Sequence, residues 1–141
     1  MLSKLAIRRL TKLADYMERL PKKKSKHFRM SAWFAHRGVD SEHGLRRNHR
    51  ISTKELNYCG TSACALGWAC MIPAFKRAGL SLLHDGIIGE VRFRKDCDFD
   101  AAANFFELNE EQSMKLFSGV FDLNTPKQWA ARCRKFLRDN A

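Results

Sequence analysis

The feature that most constrains this chain is a run of ten residues, 63–72, that contains no charged or strongly polar side chain. Elsewhere the chain is polar, and charged residues make up 29% of its 141 residues. A surface helix has one polar face, so a run that is apolar on every side is expected to be enclosed by protein. As a helix of about 15 Å it is too short to cross a bilayer. The run therefore predicts a buried central helix.

The residues on either side of this run carry signals for its ends. Gly60, Thr61 and Ser62 precede it, and the Thr61 hydroxyl is suited to accept a hydrogen bond from the N–H groups of a first helical turn. Pro73 follows it, and a proline pushes the preceding residue out of the helical region. We therefore expect a helix over 63–72 with Thr61 as its N-cap.

Apolar residues at helical spacing predict the first and last helices of the chain. Residues 2–20 carry one apolar stripe before Pro21, formed by Ala6, Leu10, Leu13, Met17 and Leu20. Near the end of the chain, Thr125 and Gln128 form a capping-box pattern around Pro126 at the first helical position. A second stripe follows that pattern, formed by Trp129, Cys133, Phe136 and Leu137.

Shorter helices are predicted between these two. Pro73 is suited to begin a helix over 74–78, which Gly79 would close in a left-handed conformation. Asp98 or Asp100 is expected to cap a later helix.

The next helix is predicted from a second capping-box pattern. Asn109 and Gln112 have the spacing of this motif, and Met114 and Phe117 are expected to face inward from the helix that it starts.

Residues 80–93 predict a small β-hairpin. Asp85-Gly86 is a favoured two-residue turn between apolar residues, and Gly89 is interpreted as a β-bulge. Together the patterns predict one mostly helical α+β domain over residues 1–141. In it, four or five helices and the hairpin surround the buried central helix.

The net charge of +11 is concentrated in one part of the chain. Residues 21–54 hold ten lysines and arginines against two acids, whereas residues 1–20 hold five against two and residues 55–141 hold eleven of each. Such asymmetry indicates a polyanionic partner, and nucleic acid is favoured over an acidic protein surface or membrane headgroups.

The surplus charge lies in residues 21–57, a stretch with weak periodicity and many turn residues that we call the basic segment. Its cations are suited to neutralise phosphates, which gives salt-sensitive binding with little base selectivity. Phe28, Trp33 and Phe34 either stack on bases or anchor the segment in the core, and the second role is favoured. The predicted nucleic-acid contacts are Lys22, Lys23, Lys24, Lys26, Arg29, Arg46, Arg47 and Arg50.

The remaining composition points to a reducing compartment. Five cysteines, an odd number without a dense framework, suit the cytosol better than a secreted disulfide scaffold. The first nine residues interrupt their apolar positions with charges, unlike a signal peptide, and no apolar run is long enough to span a membrane. We expect a cytoplasmic protein.

Several pieces of the chain resemble one group of small proteins from tailed phages and bacterial genomes. Residues 59–67 carry the signature Cys-Gly-Thr-x-x-Cys-x-x-Gly of that group. Leu-Ala-Asp-Tyr at 13–16 and the phenylalanine pair at 105–106 match its flanking helices, although Glu107 stands where relatives often have glycine. The resemblance implies a shared fold and a phage or bacterial origin, and it implies no mechanism.

Cys59 is the centre of two alternative readings in which the protein is an enzyme. As a thiol near a helix start it would have a lowered pKa, with His36, His43, His49 or His84 as a base if the fold brings one close. As a zinc ligand it would join His43, His49 and Cys64, but these spacings are not those of structural zinc sites. Buried small hydrophobes are the favoured interpretation of the cysteines, so no catalytic residue, metal or cofactor is predicted.

A third alternative is a site for a phosphorylated small ligand. Gly60, Thr61 and Ser62 at a helix start would provide N–H groups, hydroxyls and a favourable dipole for an anion. The lysine and flanking glycines of a phosphate-binding loop are missing, so the favoured interpretation is that Thr61 only caps the helix.

Overall fold

The computed structural model describes residues 1–21, 28, 35–36, 49–50, 61–62, 64–84, 89–118 and 125–141. In these residues the chain is mostly helical and of the α+β class, as predicted. The helices are α1 (Lys4–Glu18), α2 (Ala65–Ala69), α3 (Pro73–Arg77), α4 (Asp98–Phe106), α5 (Glu110–Phe117) and α6 (Pro126–Asn140). The strands are β1 (Ala35–His36), β2 (His49–Arg50), β3 (Thr61–Ser62), β4 (Leu80–His84), β5 (Gly89–Phe93) and β6 (Asp96–Cys97).

The apolar run forms the centre of the protein, as its composition requires. Every residue from Cys64 to Ile72 is buried, which confirms the enclosed central helix. The helix itself is shorter than predicted, because α2 ends at Ala69 and the chain then turns into Pro73, the first residue of α3. Gly79 closes that second helix with a φ of 106°, in the left-handed region where a glycine is favoured.

The predicted start of the central helix is wrong. Thr61 and Ser62 lie in β3, where they pair with Ala35 and His36 of β1. The N-cap of α2 is Cys64, which makes no side-chain capping bond. Although threonine is a favourable N-cap residue, Thr61 instead takes part in the pairing of β3 with β1, which is distant in sequence.

The first and last helices pack against each other in antiparallel orientation. The N–H of Leu2 donates to the Asn140 carbonyl at 3.1 Å, and the Cys133 thiol contacts the Leu10 carbonyl at 3.7 Å. The predicted stripes form this interface: Ala6, Leu10, Leu13 and Met17 of α1 and Trp129 and Cys133 of α6 have no exposed surface. Each fully buried large apolar side chain contributes about 1.5–3 kcal/mol to stability.

An antiparallel sheet in the order β2-β4-β5-β6 covers the core on another side. The predicted hairpin is β4 and β5, with Leu80 opposite Phe93 and His84 opposite Gly89. This register leaves four residues, 85–88, between the strands instead of the predicted two-residue turn, and it places Gly89 in a regular pair instead of a bulge. The turn residues Asp85 and Gly86 lie outside the described residues.

The three C-terminal helices begin with different capping arrangements. Both predicted capping boxes are present, Asn109 with Gln112 and Thr125 with Gln128. The prediction for α4 is wrong, because its N-cap is Cys97. The carboxylate of Asp98 instead accepts a hydrogen bond from the Val91 N–H at 3.1 Å. This bond attaches the start of α4 to the sheet.

Five aromatic rings continue the core from the sheet to α6. Phe93 meets Phe105 edge to face at 5.2 Å, Phe105 meets Phe106 at 5.0 Å, and Phe106 stacks with Phe117 at 5.4 Å. Phe117 then stacks with Trp129 at 5.8 Å. Each such pair contributes about 0.5–1.5 kcal/mol to stability beyond the contribution of the buried apolar area itself.

On α5 the inward residues differ from the prediction. Phe117 is buried, but Met114 is 45% exposed and Leu116 takes the expected inward position. Ser113 is also fully buried and donates its hydroxyl to the Phe99 carbonyl at 2.9 Å, which satisfies the hydrogen-bonding need of the buried hydroxyl.

Candidate nucleic-acid interface

The basic segment predicted to contact phosphates lies largely outside the described residues. This holds for Lys22, Lys23, Lys24, Lys26, Arg29, Arg46 and Arg47. Arg50 lies in β2, where its backbone pairs with Leu83 of β4, and Phe28 is buried, as expected for a core anchor. Residues 49–50 of the basic segment therefore form an edge strand of the sheet.

The described part of the chain has a charge asymmetry of its own. Residues 1–21 and 125–141, which contain α1 and α6, hold ten lysines and arginines against three acids. Residues 64–84 and 89–118 hold six against seven. The fold therefore brings two basic helices together and leaves the remainder close to neutral, which favours attraction of a polyanion to one side of the molecule.

Three bases of this helix pair line a common groove, and further bases lie along the exposed sides of the two helices. The side of α1 opposite its buried stripe carries Lys4, Arg8 and Lys12, and Arg19 follows its last turn. Helical spacing places Lys127, Arg134 and Arg138 along one side of α6. A groove of about 500 Å³ between the helices is lined by Asp15, Glu18, Arg19, Lys127, Ala131 and Arg134. We call this surface, with its seven bases, the α1–α6 face.

Arg134 pairs with both acids of this groove and balances one of their two charges. Its guanidinium contacts the Asp15 carboxylate at 2.7 Å and the Glu18 carboxylate through Nε at 3.0 Å. The hydrogen bonds that Arg134 donates to the Asp15 and Glu18 carboxylates raise the pKa of Arg134. The two acids carry one negative charge more than Arg134 balances, so with Arg19 and Lys127 the lining of this groove has a net charge of +1.

The α1–α6 face adjoins the basic segment along the chain. A second groove, of about 460 Å³, lies on another side of α1 and is lined by Lys12, Asp15, Tyr16, Arg19, Leu20, Pro21 and Ile72. Arg19 lines both grooves, and the chain leaves the second one at Pro21, directly before Lys22. The α1–α6 face and the basic segment are therefore adjacent in sequence.

Sequence reasoning missed the contribution of α6 because it averaged charge over too long a window. Residues 55–141 are neutral as a whole. Within them, residues 125–141 hold five bases and one acid, and that acid, Asp139, is paired with Lys135 at 2.7 Å. A charge count made helix by helix would have identified α6, whereas its position beside α1 requires the tertiary structure.

Two other arginines are used by the core. The Arg9 guanidinium lies 4.0 Å from the centre of the Phe105 ring and donates to the Phe105 carbonyl, and Arg94 lies 4.9 Å from the centre of the Phe93 ring. Burial lowers the Arg9 pKa, Glu107 opposes this, and the nearby Arg8 and Arg94 lower it further. Arg9 is thus held against the core by a cation–π contact and a hydrogen bond, whereas Arg94 remains exposed over the Phe93 ring.

The alternative sites of the sequence analysis are not assembled in the described residues. Gly60 lies outside them, and Thr61 and Ser62 lie in a strand, so the helix start that the anion site requires is three residues further on, at Ala65. The anion site remains a prediction, but Thr61 and Ser62 do not provide the helix start on which it was based. Cys59 and His43 also lie outside the described residues, and no cluster of metal-binding side chains occurs within them.

The described cysteines behave as buried hydrophobes, with one exception. Burial raises the pKa of Cys64 and of Cys133 to about 12, and it raises the pKa of Cys70 strongly. Such thiols are protonated at neutral pH and do not act as nucleophiles. Cys97 is exposed, and its pKa is also raised, by desolvation and by a hydrogen bond with Glu90.

Comparisons with known proteins do not constrain the function. No protein-family model, curated protein or solved structure matches this chain. In the part of the chain that the structure describes, no helix has the length and apolar character needed to span a membrane.

Proposed function

We propose that the protein is a small, non-enzymatic accessory protein that binds nucleic acid, free or within a nucleoprotein complex, through its phosphates. The observation that carries this proposal is the pairing of two basic helices into the α1–α6 face, directly before the lysines of the basic segment. A surface with several unpaired cations gains affinity by releasing the counterions that surround a polyanion.

The basic segment extends this surface in the proposal. Lys22, Lys23, Lys24 and Lys26 follow α1 in sequence, and Arg50 returns the chain to the sheet at β2. Bases distributed over a folded face and a connected segment can contact phosphates along a longer stretch of nucleic acid than either could alone. Such contacts position the protein without reading sequence.

Cytoplasmic action on a bacterial host nucleoprotein or defence system is part of the proposal. It is supported by the resemblance of residues 59–67 to small phage proteins and by a cysteine content that suits a reducing compartment. Nucleic acid is favoured over a bilayer because the apolar stripe of α1 is fully buried in the core, so the helix has no apolar face to insert between lipids.

The proposal is tested by fluorescence anisotropy with labelled duplex DNA of random sequence over a series of salt concentrations. We expect the logarithm of the binding constant to fall linearly with the logarithm of salt concentration, with a slope of about −4 or steeper, since about 0.9 counterion is released per phosphate contact. Anionic phospholipid vesicles and a polyglutamate chain serve as competing polyanions. No salt-sensitive binding to any nucleic acid, or stronger binding to either competitor, would overturn the proposal.

A further inference from the structure

We infer that the α1–α6 face binds the sugar-phosphate backbone of a double helix in preference to a single strand. This inference rests on the proposed function and names the form of nucleic acid that the face recognises. Three properties of the described surface carry it: rigidly spaced cations, the lack of an exposed aromatic ring and the internal pairing of its acids.

The helix fixes the backbone positions from which the cations of α1 extend. Lys4, Arg8, Lys12 and Arg19 follow one side of a helix whose opposite side is buried. At 1.5 Å per residue the first and last lie about 22 Å apart along the axis, which corresponds to about six base pairs of a duplex. The phosphates of a double helix are already regularly spaced, so a duplex loses little conformational entropy when it binds such a row of cations. A flexible single strand loses more.

The helix is also prevented from rotating or fraying. The Ser3 hydroxyl accepts a hydrogen bond from the Ala6 N–H at 3.0 Å and caps the first turn. Arg134 connects the last turns to α6 through Asp15 and Glu18. Because α1 is fixed at both ends and along its buried side, the spacing of its bases is a property of the folded protein.

The surface lacks the groups that single-strand binding uses. Proteins that bind single strands without sequence preference stack successive bases on exposed aromatic rings. Among the described residues the exposed large hydrophobic side chains are Met1 and Met114, and neither is aromatic. Tyr16, which lines the second groove, is half-buried and packs against the core. Binding at this face therefore depends on charge alone.

A site that depends on charge alone favours the partner with the denser charge. A duplex carries one phosphate per about 1.7 Å of axis, against about 3.4 Å for one of its strands. Each contact also releases more counterions from duplex DNA, about 0.9 against about 0.7 for single strands. Both effects increase the affinity for duplex DNA and steepen its dependence on salt.

The test compares duplex and single-stranded DNA of equal length and random sequence, measured by anisotropy over a salt series with wild type and two double variants. Lys12→Gln with Lys127→Gln removes one base from each helix of the α1–α6 face. The matched control, Arg77→Gln with Lys95→Gln, removes two exposed bases at the end of α3 and in the turn between β5 and β6. Both variants lower the net charge equally, and circular dichroism verifies their fold.

We expect the face variant to reduce the duplex salt slope by about two and to weaken duplex binding by roughly tenfold at about 0.1 M salt, with the control close to wild type. We expect wild type to bind the duplex more tightly than the single strand. Equal losses in both variants, or tighter binding of the single strand, would overturn the inference while leaving nucleic-acid binding established. Failure of wild type to bind either form would instead remove the proposed function itself.

Discussion

Glu107 occupies a strained backbone position at the end of α4. Its φ of 53° and ψ of 51° are left-handed, a conformation in which a side chain is disfavoured and glycine is common. The Glu107 carboxylate accepts a hydrogen bond from the Ser3 hydroxyl, and its charge favours the charged form of Arg9. The residue thus combines an unfavourable backbone conformation with contacts to the start of α1.

Two substitutions separate the backbone from the side chain at this position. Glu107→Gly and Glu107→Ala both remove the carboxylate, but only glycine adopts the left-handed conformation without strain. We expect the glycine variant to be more stable than the alanine variant by about 1 kcal/mol. Urea unfolding of the two variants measures the difference, and equal stability would show that the backbone is not strained.

Cys133 gives the protein a predicted sensitivity to alkaline pH. Burial raises its pKa from 9.0 to about 12, so the folded state holds the thiol proton more tightly than the unfolded state. The corresponding stability is fully present below about pH 9 and is lost as the pH rises toward 12. Above pH 9 we expect the free energy of unfolding of Cys133→Ala to fall less steeply with pH than that of wild type. The expected difference in slope is up to about 1.4 kcal/mol per pH unit.

The measurement is urea unfolding of wild type and Cys133→Ala under reducing conditions at several pH values between 7 and 11. At pH 7 the variant is expected to be less stable by about 1 kcal/mol, because the sulfur fills a buried space beside Leu10. Parallel stability curves for the two proteins above pH 9 would contradict the assigned pKa shift.

At the scale of single elements, the sequence-based predictions were correct where residues close in sequence determine the local conformation. The stripe of α1, both capping boxes and the left-handed Gly79 were all predicted from sequence. The predictions were wrong where a residue of another element determines the conformation. Thr61 pairs with His36 instead of capping a helix, and Asp98 bonds to Val91 instead of capping α4.

The capping box of α6 gives a prediction at this scale. The Thr125 hydroxyl accepts from the Gln128 N–H at 3.1 Å, and the Gln128 side chain accepts from the Thr125 N–H at 3.2 Å. We expect Thr125→Ala to destabilise the protein by about 1 kcal/mol and Thr125→Ser to change stability by much less, since serine retains the accepting hydroxyl. Thermal unfolding compares the two, and an equal loss would show that the methyl group matters instead of the cap.

At the scale of the whole molecule, the candidate interface could be predicted only in part. Sequence identified a basic protein and a basic segment at 21–57, but it treated the chain beyond residue 55 as neutral. The α1–α6 face joins helices from opposite ends of the sequence, so no local pattern contains it. Its existence depends on the same buried stripes that hold the fold together, which couples the proposed binding surface to the core.

That coupling predicts unfolding as a single unit. Phe106 lies in the middle of the aromatic chain and contacts Phe75, Phe105 and Phe117, while Trp129 at its end belongs to α6. Phe106→Leu removes ring contacts on three sides and is expected to cost about 1–3 kcal/mol. Because sheet, α4, α5 and α6 share these rings, the loss should lower the stability of every element together.

The experiment follows urea unfolding of wild type and Phe106→Leu by far-ultraviolet circular dichroism, which reports the helices. Tryptophan fluorescence, which reports the surroundings of Trp33, Trp68 and Trp129, is followed in parallel. Both signals are expected to change at one midpoint in each protein, and the midpoint of the variant should be lower. Two separated transitions in the variant would show that its elements do not unfold together. That result would contradict the coupling between the α1–α6 face and the rest of the core that the shared rings predict.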